Sequence, residues 1–223
     1  MTCADWVCDI VSITKSLVRV KVDAESCAAP IAALKAYVGS TTVFLSEKLT
    51  ARRFGKCDFS EAEDHEADGD AYTDKGEAEK AKQEYSLAAE CYKGNDMIIC
   101  EANARIKAGA DLVETYAYVA KRKGEEGSAN IAAIIYAKLG DVCACAGGIV
   151  KANYYYALSA REFEKGGLFE QEAGMLIKMG ADPAKVAEAF DHAEEASAEL
   201  GLPVKADEMN KKAAQARETL VSK

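Results

Sequence analysis

The sequence predicts an all-α fold of stacked antiparallel helical hairpins, and three observations carry that prediction. Apolar residues recur at spacings of three and four along most of the chain, the period of a helix with one buried face. Proline occurs only three times in 223 residues, and alanine, glutamate and lysine are abundant, a composition that favours helix and leaves glycine as the main punctuation. No window alternates between apolar and polar residues convincingly enough to read as a strand.

Taken in order, the first apolar stripe is Trp6, Ile10, Ile13 and Leu17, flanked by Val7, Val11 and Val18, and it predicts an amphipathic helix. Pro30 suits the first turn of a second helix. Its stripe of Ile31, Leu34, Val38, Thr42, Leu45 and Leu49 extends to about residue 52. Gly55 ends that element. Ser60 followed by Glu63 has the spacing of a capping box, so a third helix should start there with its acids at the positive dipole end. Gly76 ends it, and a fourth helix spans about 77–92. Further helices are expected near 97–108, 111–123, 128–139, 142–164 and 168–179, broken at Gly94-Asn95, Gly109, Gly124/Gly127, Gly140-Asp141, Gly166-Gly167 and Gly180. Gly147-Gly148 marks a start or a kink within the fourth of these. Pro183 opens a helix closed by Gly201-Leu202-Pro203, and a weakly apolar helix at about 205–221 completes the chain. The organisation is an N-terminal hairpin over 1–56, repeats over 57–182 and capping helices over 183–223, read as one continuous domain.

Charge is unevenly placed. The net charge is −9. Residues 58–79 hold Asp58, Glu61, Glu63, Asp64, Glu66, Asp68, Asp70, Asp74, Glu77 and Glu79 against Lys75 alone, so the whole excess lies in this stretch. Nucleic-acid binding calls for a basic face and is not expected. An acidic face attracts cations. No run approaches the roughly 20 apolar residues of a membrane span. Asp5, Asp9, Lys15 and Arg19 interrupt the only place a signal peptide could lie, so the expected location is cytoplasmic. The eight cysteines sit mostly among alanines on helical faces and read as small buried apolar residues in a reducing compartment rather than as disulfides or metal ligands.

Internal repetition is visible in two stretches. GDAYTDKGEAEKAKQEYSLAAECY places Gly69, Tyr72, Gly76, Ala81, Tyr85 and Ala88 at the same offsets at which AIIYAKLGDVCACAGGIVKA places Ala133, Tyr136, Gly140, Cys145, Ile149 and Ala152. Ala160, Phe163, Gly167, Leu176 and Met179 repeat it again, with Glu172 where a small residue is expected. Small residues let two helices approach, an aromatic fills the gap beside them, and glycine permits the turn.

This pattern resembles the tetratricopeptide repeat, and the run of irregular hairpins is similar to soluble NSF attachment proteins. The resemblance is strongest over 62–93, covers about 120 residues and does not reach the first 55. It implies a right-handed α-solenoid, with an irregular helical bundle as the alternative. It also implies a concave groove lined by the first helix of each hairpin. Carried onto this chain, the partner-binding positions are Glu63, Glu66, Asp70, Thr73 and Asp74, then Asn130, Ile134, Ala137 and Lys138, then Tyr154, Arg161, Glu164 and Lys165. The expected function is non-catalytic: an interaction module or adaptor that holds a protein or peptide, its acidic end receiving a Lys- or Arg-rich segment. The alternatives are a trafficking adaptor that couples an ATPase to a helical bundle, and a small helical enzyme with a Tyr, Asp and Cys pocket.

Motifs for other chemistry are weak. Neither His65 nor His192 has a glutamate three residues before it, so the paired Glu-x-x-His of a di-metal bundle is missing. Glu61, His65 and Asp68 could share a face, but a surface charge cluster is the simpler reading. The acids of Asp68–Glu77 lack the glycine and final glutamate of a calcium loop. No P-loop, nucleophile elbow, dinucleotide fingerprint or HExxH occurs. No cofactor or metal is expected.

Overall fold

A computed structural model describes residues 6–8, 20–22, 28–38 and 59–221. Among these residues ten helices make an all-α structure: α1 (Ala28–Val38), α2 (Phe59–Asp74), α3 (Ala78–Gly94), α4 (Ile98–Lys107), α5 (Leu112–Glu125), α6 (Ala129–Cys145), α7 (Ile149–Lys165), α8 (Phe169–Lys178), α9 (Pro183–Glu199) and α10 (Pro203–Val221). Two three-residue strands, β1 (Trp6–Cys8) and β2 (Val20–Val22), pair with each other. The helix expected from Trp6 therefore does not include Trp6–Cys8, whose tryptophan and valine favour extended backbone. The rest of that element, and the second helix beyond Val38, lie outside the described residues.

The chain forms two compact units. Ile31–Val119 carries the described helices of the first, and Ala120–Lys223 those of the second, so the boundary falls within α5. In the first unit α2 packs on α3 and α3 on α4. Ala62, Ala88, Ala89, Cys91, Tyr92, Met97, Cys100 and Ala104 form its core, with Phe59 against them. In the second, α6 to α10 pack each on the next. Ala173, Val186, Ala189, Phe190, Ala193, Met209 and Ala213 make a core at its C-terminal end.

One turn joins all the helices from α2 to α10. After α2 the Gly76 N–H donates to the Thr73 carbonyl at 3.0 Å, and the Glu77 N–H to the Tyr72 carbonyl at 2.9 Å. This is the Schellman closure, and it needs a left-handed residue just past the helix end. Glycine fills that position in every described connection but one, where Asp96 adopts φ 57°.

Three sequence expectations change. Gly140 does not break a helix, because α6 runs through it to Cys145 and the turn comes at Gly147-Gly148. Gly140 is an interior helical glycine whose missing side chain leaves room for the Tyr156 ring. Ser60 is not the cap residue of α2, because the helix already includes Phe59, whose ring packs against Tyr92 with centroids 6.0 Å apart. Cys91 and Cys145 are disulfide-bonded, so the reading of the cysteines as reduced apolar fillers fails for these two. Cys100 and Cys143 are buried.

Candidate functional site

The repeat seen in the structure is longer than the hairpin. Helices α3, α4 and the start of α5 recur as α7, α8 and the start of α9 at a spacing of 71 residues, and α2 and α6 end 71 residues apart. Sequence follows structure. Glu-Ala-Asn-Ala-Arg-Ile-Lys-Ala-Gly-Ala-Asp (101–111) and Glu-Ala-Gly-Met-Leu-Ile-Lys-Met-Gly-Ala-Asp (172–182) share seven of eleven residues. Helices α2–α5 are thus a first set and α6–α9 a second. The register read from small and aromatic residues had placed Ala133 opposite Gly69. The structure places Gly140 there, seven residues further along. Seven residues are close to two helical turns, so such a slip preserves the pattern of small and large residues.

Each set contains the same latch across three helices. Gly69 on α2 lies under the Tyr85 ring of α3, so close that a Cβ on the glycine would come within 2.5 Å of the ring. The Tyr85 hydroxyl donates to the neighbouring Asp70 carboxylate at 2.7 Å. Lys107, at the end of α4, donates to the same carboxylate at 2.9 Å and stands 5.1 Å from the Tyr85 ring centroid. In the second set Gly140 lies under Tyr156. The Tyr156 hydroxyl donates to Asp141 at 2.8 Å, Lys178 donates to Asp141 at 2.7 Å, and Lys178 stands 5.2 Å from the Tyr156 ring. The glycine lets the ring lie flat on the first helix. The carboxylate takes the hydroxyl, and the ammonium closes both the charge and the ring face. The Tyr85 hydrogen bond, with Lys107, holds the Asp70 carboxyl below its ordinary range.

The sequence-derived site residues fall into three groups. On α2, Glu66, Asp70 and Thr73 point into the first unit's own framework. Glu66 accepts from the Tyr92 hydroxyl at 2.9 Å and from Lys107 at 2.8 Å, and the Thr73 hydroxyl donates to the Gly69 carbonyl at 2.9 Å. Glu63 and Asp74 are exposed on the same helix. On α6, the exposed Asn130 lies with its Oδ1 beside Gly166, and Lys138 is half-buried. Tyr154, Arg161 and Lys165 are exposed on α7, a helix that packs on both α6 and α8. Arg161 and Lys165 converge on the buried Glu162 carboxylate at 3.4 and 2.8 Å. His65 faces Glu84 on α3 at 2.8 Å. Sequence reasoning missed Lys107, Tyr156, Asp141 and Lys178, although the doubled Ile-Lys-x-Gly-Ala-Asp could have found both lysines.

The 71-residue relation also gives the acidic run a physical setting. Ala132, Ile135, Leu139 and Val142 of α6 are all buried. Their counterparts on α2 are Glu61, Asp64, Asp68 and Ala71, all exposed. Helix α2 therefore shows solvent the stripe that α6 buries, and carboxylates replace the aliphatic side chains there. A polar outer face of this kind is what the end of a repeat array requires. No protein-family model matches the chain, and no characterised protein is similar to it at the level of sequence.

Proposed function

We propose that the chain is a non-catalytic interaction module of tetratricopeptide-like helical hairpins, holding a protein or peptide partner through its exposed helix faces. The observation that carries this reading is the contrast between the two sets. Their framework is the same, down to the latch, the turn and the helix ends, whereas corresponding exposed positions carry different chemistry. A fixed framework with altered faces is how repeat scaffolds present binding surfaces.

The acidic face of α2 is the proposed seat of a Lys- or Arg-rich segment. In support, this helix already holds one ammonium: Lys107 sits between Glu66 and Asp70. Asp68 and Asp74 are exposed beyond the latch and would extend the same recognition to a partner. The test is Asp68→Lys with Asp74→Lys, two surface changes that leave Asp70, Tyr85 and Lys107 intact. Affinity purification from the native source should recover the partner with the parent chain and lose at least tenfold of it with the variant. Unchanged recovery by a folded variant rejects the acidic seat. The adaptor reading makes a separate demand, that the bound partner include an ATPase whose turnover rises on binding.

A further inference from the structure

A cleft of about 680 Å³ lies between α8, α9 and α10 in the second unit. Gly174 and Ile177 of α8, Pro183, Val186 and Phe190 of α9, and Ala216 of α10 line it. We propose that this cleft docks an amphipathic α-helix of a partner, which fills it with two aliphatic side chains one turn apart. The proposal concerns a surface separate from the acidic face of α2 and does not rest on it.

The first set supplies the comparison. Ile177, Pro183 and Phe190 correspond to Ile106, Leu112 and Val119. Those three are 8%, 4% and 0% exposed, whereas Ile177 is 56% exposed. The structure also shows what is missing. Helix α10 repeats α6 at a spacing of 74 residues: Ala206, Met209 and Ala213 are buried as Ala132, Ile135 and Leu139 are. At two of these positions α6 carries large side chains, Leu139 and Val142, both buried. Helix α10 has Ala213 and Ala216 there. Gly174 adds to the opening, since a Cβ built on it meets nothing within 4 Å.

The cleft is thus the space of two absent aliphatic side chains three residues apart, and that spacing is the stripe of a helix. Its rim carries both signs of charge. Lys212 donates to Glu170 at 3.0 Å and pairs with Glu208 at 2.8 Å, and Lys205 pairs with Glu170 at 3.2 Å. An occupant with an apolar stripe and charged flanks matches this rim. An anionic amphiphile would have to compete with Glu170 for its lysines.

The probe is a fluorescein-labelled peptide of residues 129–145 carrying Cys143→Ser and Cys145→Ser, which presents Leu139 and Val142 in trans to the full-length chain. Fluorescence anisotropy should show saturable binding. Gly174→Leu and Ala216→Leu each fill the cleft from within; each should keep the parent's circular dichroism, hold or raise Tm, and weaken peptide binding at least tenfold. A peptide with Leu139→Ser and Val142→Ser should bind at least tenfold more weakly to the parent chain. Equal binding by parent and folded, filled variants overturns the proposal. So does binding of decanoate with no binding of the peptide, or a chain dimer that the filling variants dissociate.

Discussion

The smallest scale at which this protein explains itself is a pair of glycines. Gly69 and Gly140 sit inside helices, where glycine costs up to about 1 kcal/mol relative to alanine. Both survive because Tyr85 and Tyr156 lie where their Cβ atoms would be. Alanine at either position regains helix propensity but must displace a ring that is tied to a carboxylate and a lysine, an overpacking cost of roughly 1–3 kcal/mol. Gly69→Ala and Gly140→Ala should therefore each lower stability in urea denaturation by about 1–2 kcal/mol, and by similar amounts. Equal or greater stability would show that the rings move aside freely. Composition and spacing picked out Gly69 but treated Gly140 as a turn, because a glycine that breaks a helix and one that admits a ring look alike in sequence. Only the partner ring 16 residues on, Tyr85 or Tyr156, separates the two cases.

Among the elements, helix boundaries were the most readable feature. Pro183 opens α9 as expected, and seven of the eight described turns between α2 and α10 carry their left-handed glycine. The two short-connection helices α5 and α9 also share a device that propensity alone did not reveal. Asp111 accepts from the Glu114 N–H at 2.7 Å, and Asp182 accepts from the Ala184 N–H at 3.0 Å. Each carboxylate meets backbone donors that the first turn leaves unpaired. Asp111→Ala and Asp182→Ala should each cost about 1 kcal/mol, read as a lowered urea midpoint with unchanged slope. A shift below a few tenths of a kcal/mol would mean water replaces the cap. The repeat register was less readable. Its small and aromatic residues recur every two turns, so sequence could not choose between a spacing of 64 and one of 71. The lysines that settle it come from a third helix, far along the chain from the glycine and tyrosine they close.

For the molecule as a whole, the buried phenols set the alkaline limit. Burial raises Tyr116 to about 12, and burial with the nearby Glu162 charge raises Tyr136 to about 12. Tyr92 and Tyr156 are also raised, chiefly by burial. Their ordinary value is near 10. Because the folded state holds these protons more tightly than the unfolded one, their contribution is complete below about pH 10 and is lost as pH rises towards 12. Each phenol should remove on the order of 2 kcal/mol by pH 12. Phenolate absorbance and loss of helical circular dichroism should then rise together between pH 10 and 12. Titration of most tyrosines near pH 10 with the helices intact would contradict the burial. At this scale the sequence also misled on cysteine. Cys91 and Cys145 stand among alanines like any small apolar residue, and nothing local distinguishes them from the buried Cys100 and Cys143. Disulfides persist in oxidising surroundings, so their oxidation state in the cell bears directly on the cytoplasmic location expected from sequence.

The latch of glycine, aspartate, tyrosine and lysine has a historical meaning as well as a mechanical one. Four residue types in the same geometry, at one constant offset, point to a single ancestral segment that was copied in tandem. Whatever both descendants keep was in place before the copying: the latch, the helix ends and the Ile-Lys-x-Gly-Ala-Asp run. Whatever only one has diverged afterwards, and the carboxylates of α2 are of that later kind. Each half of the chain is in this sense an inherited control for the other, and residues that break the correspondence are the first place to look for what selection added.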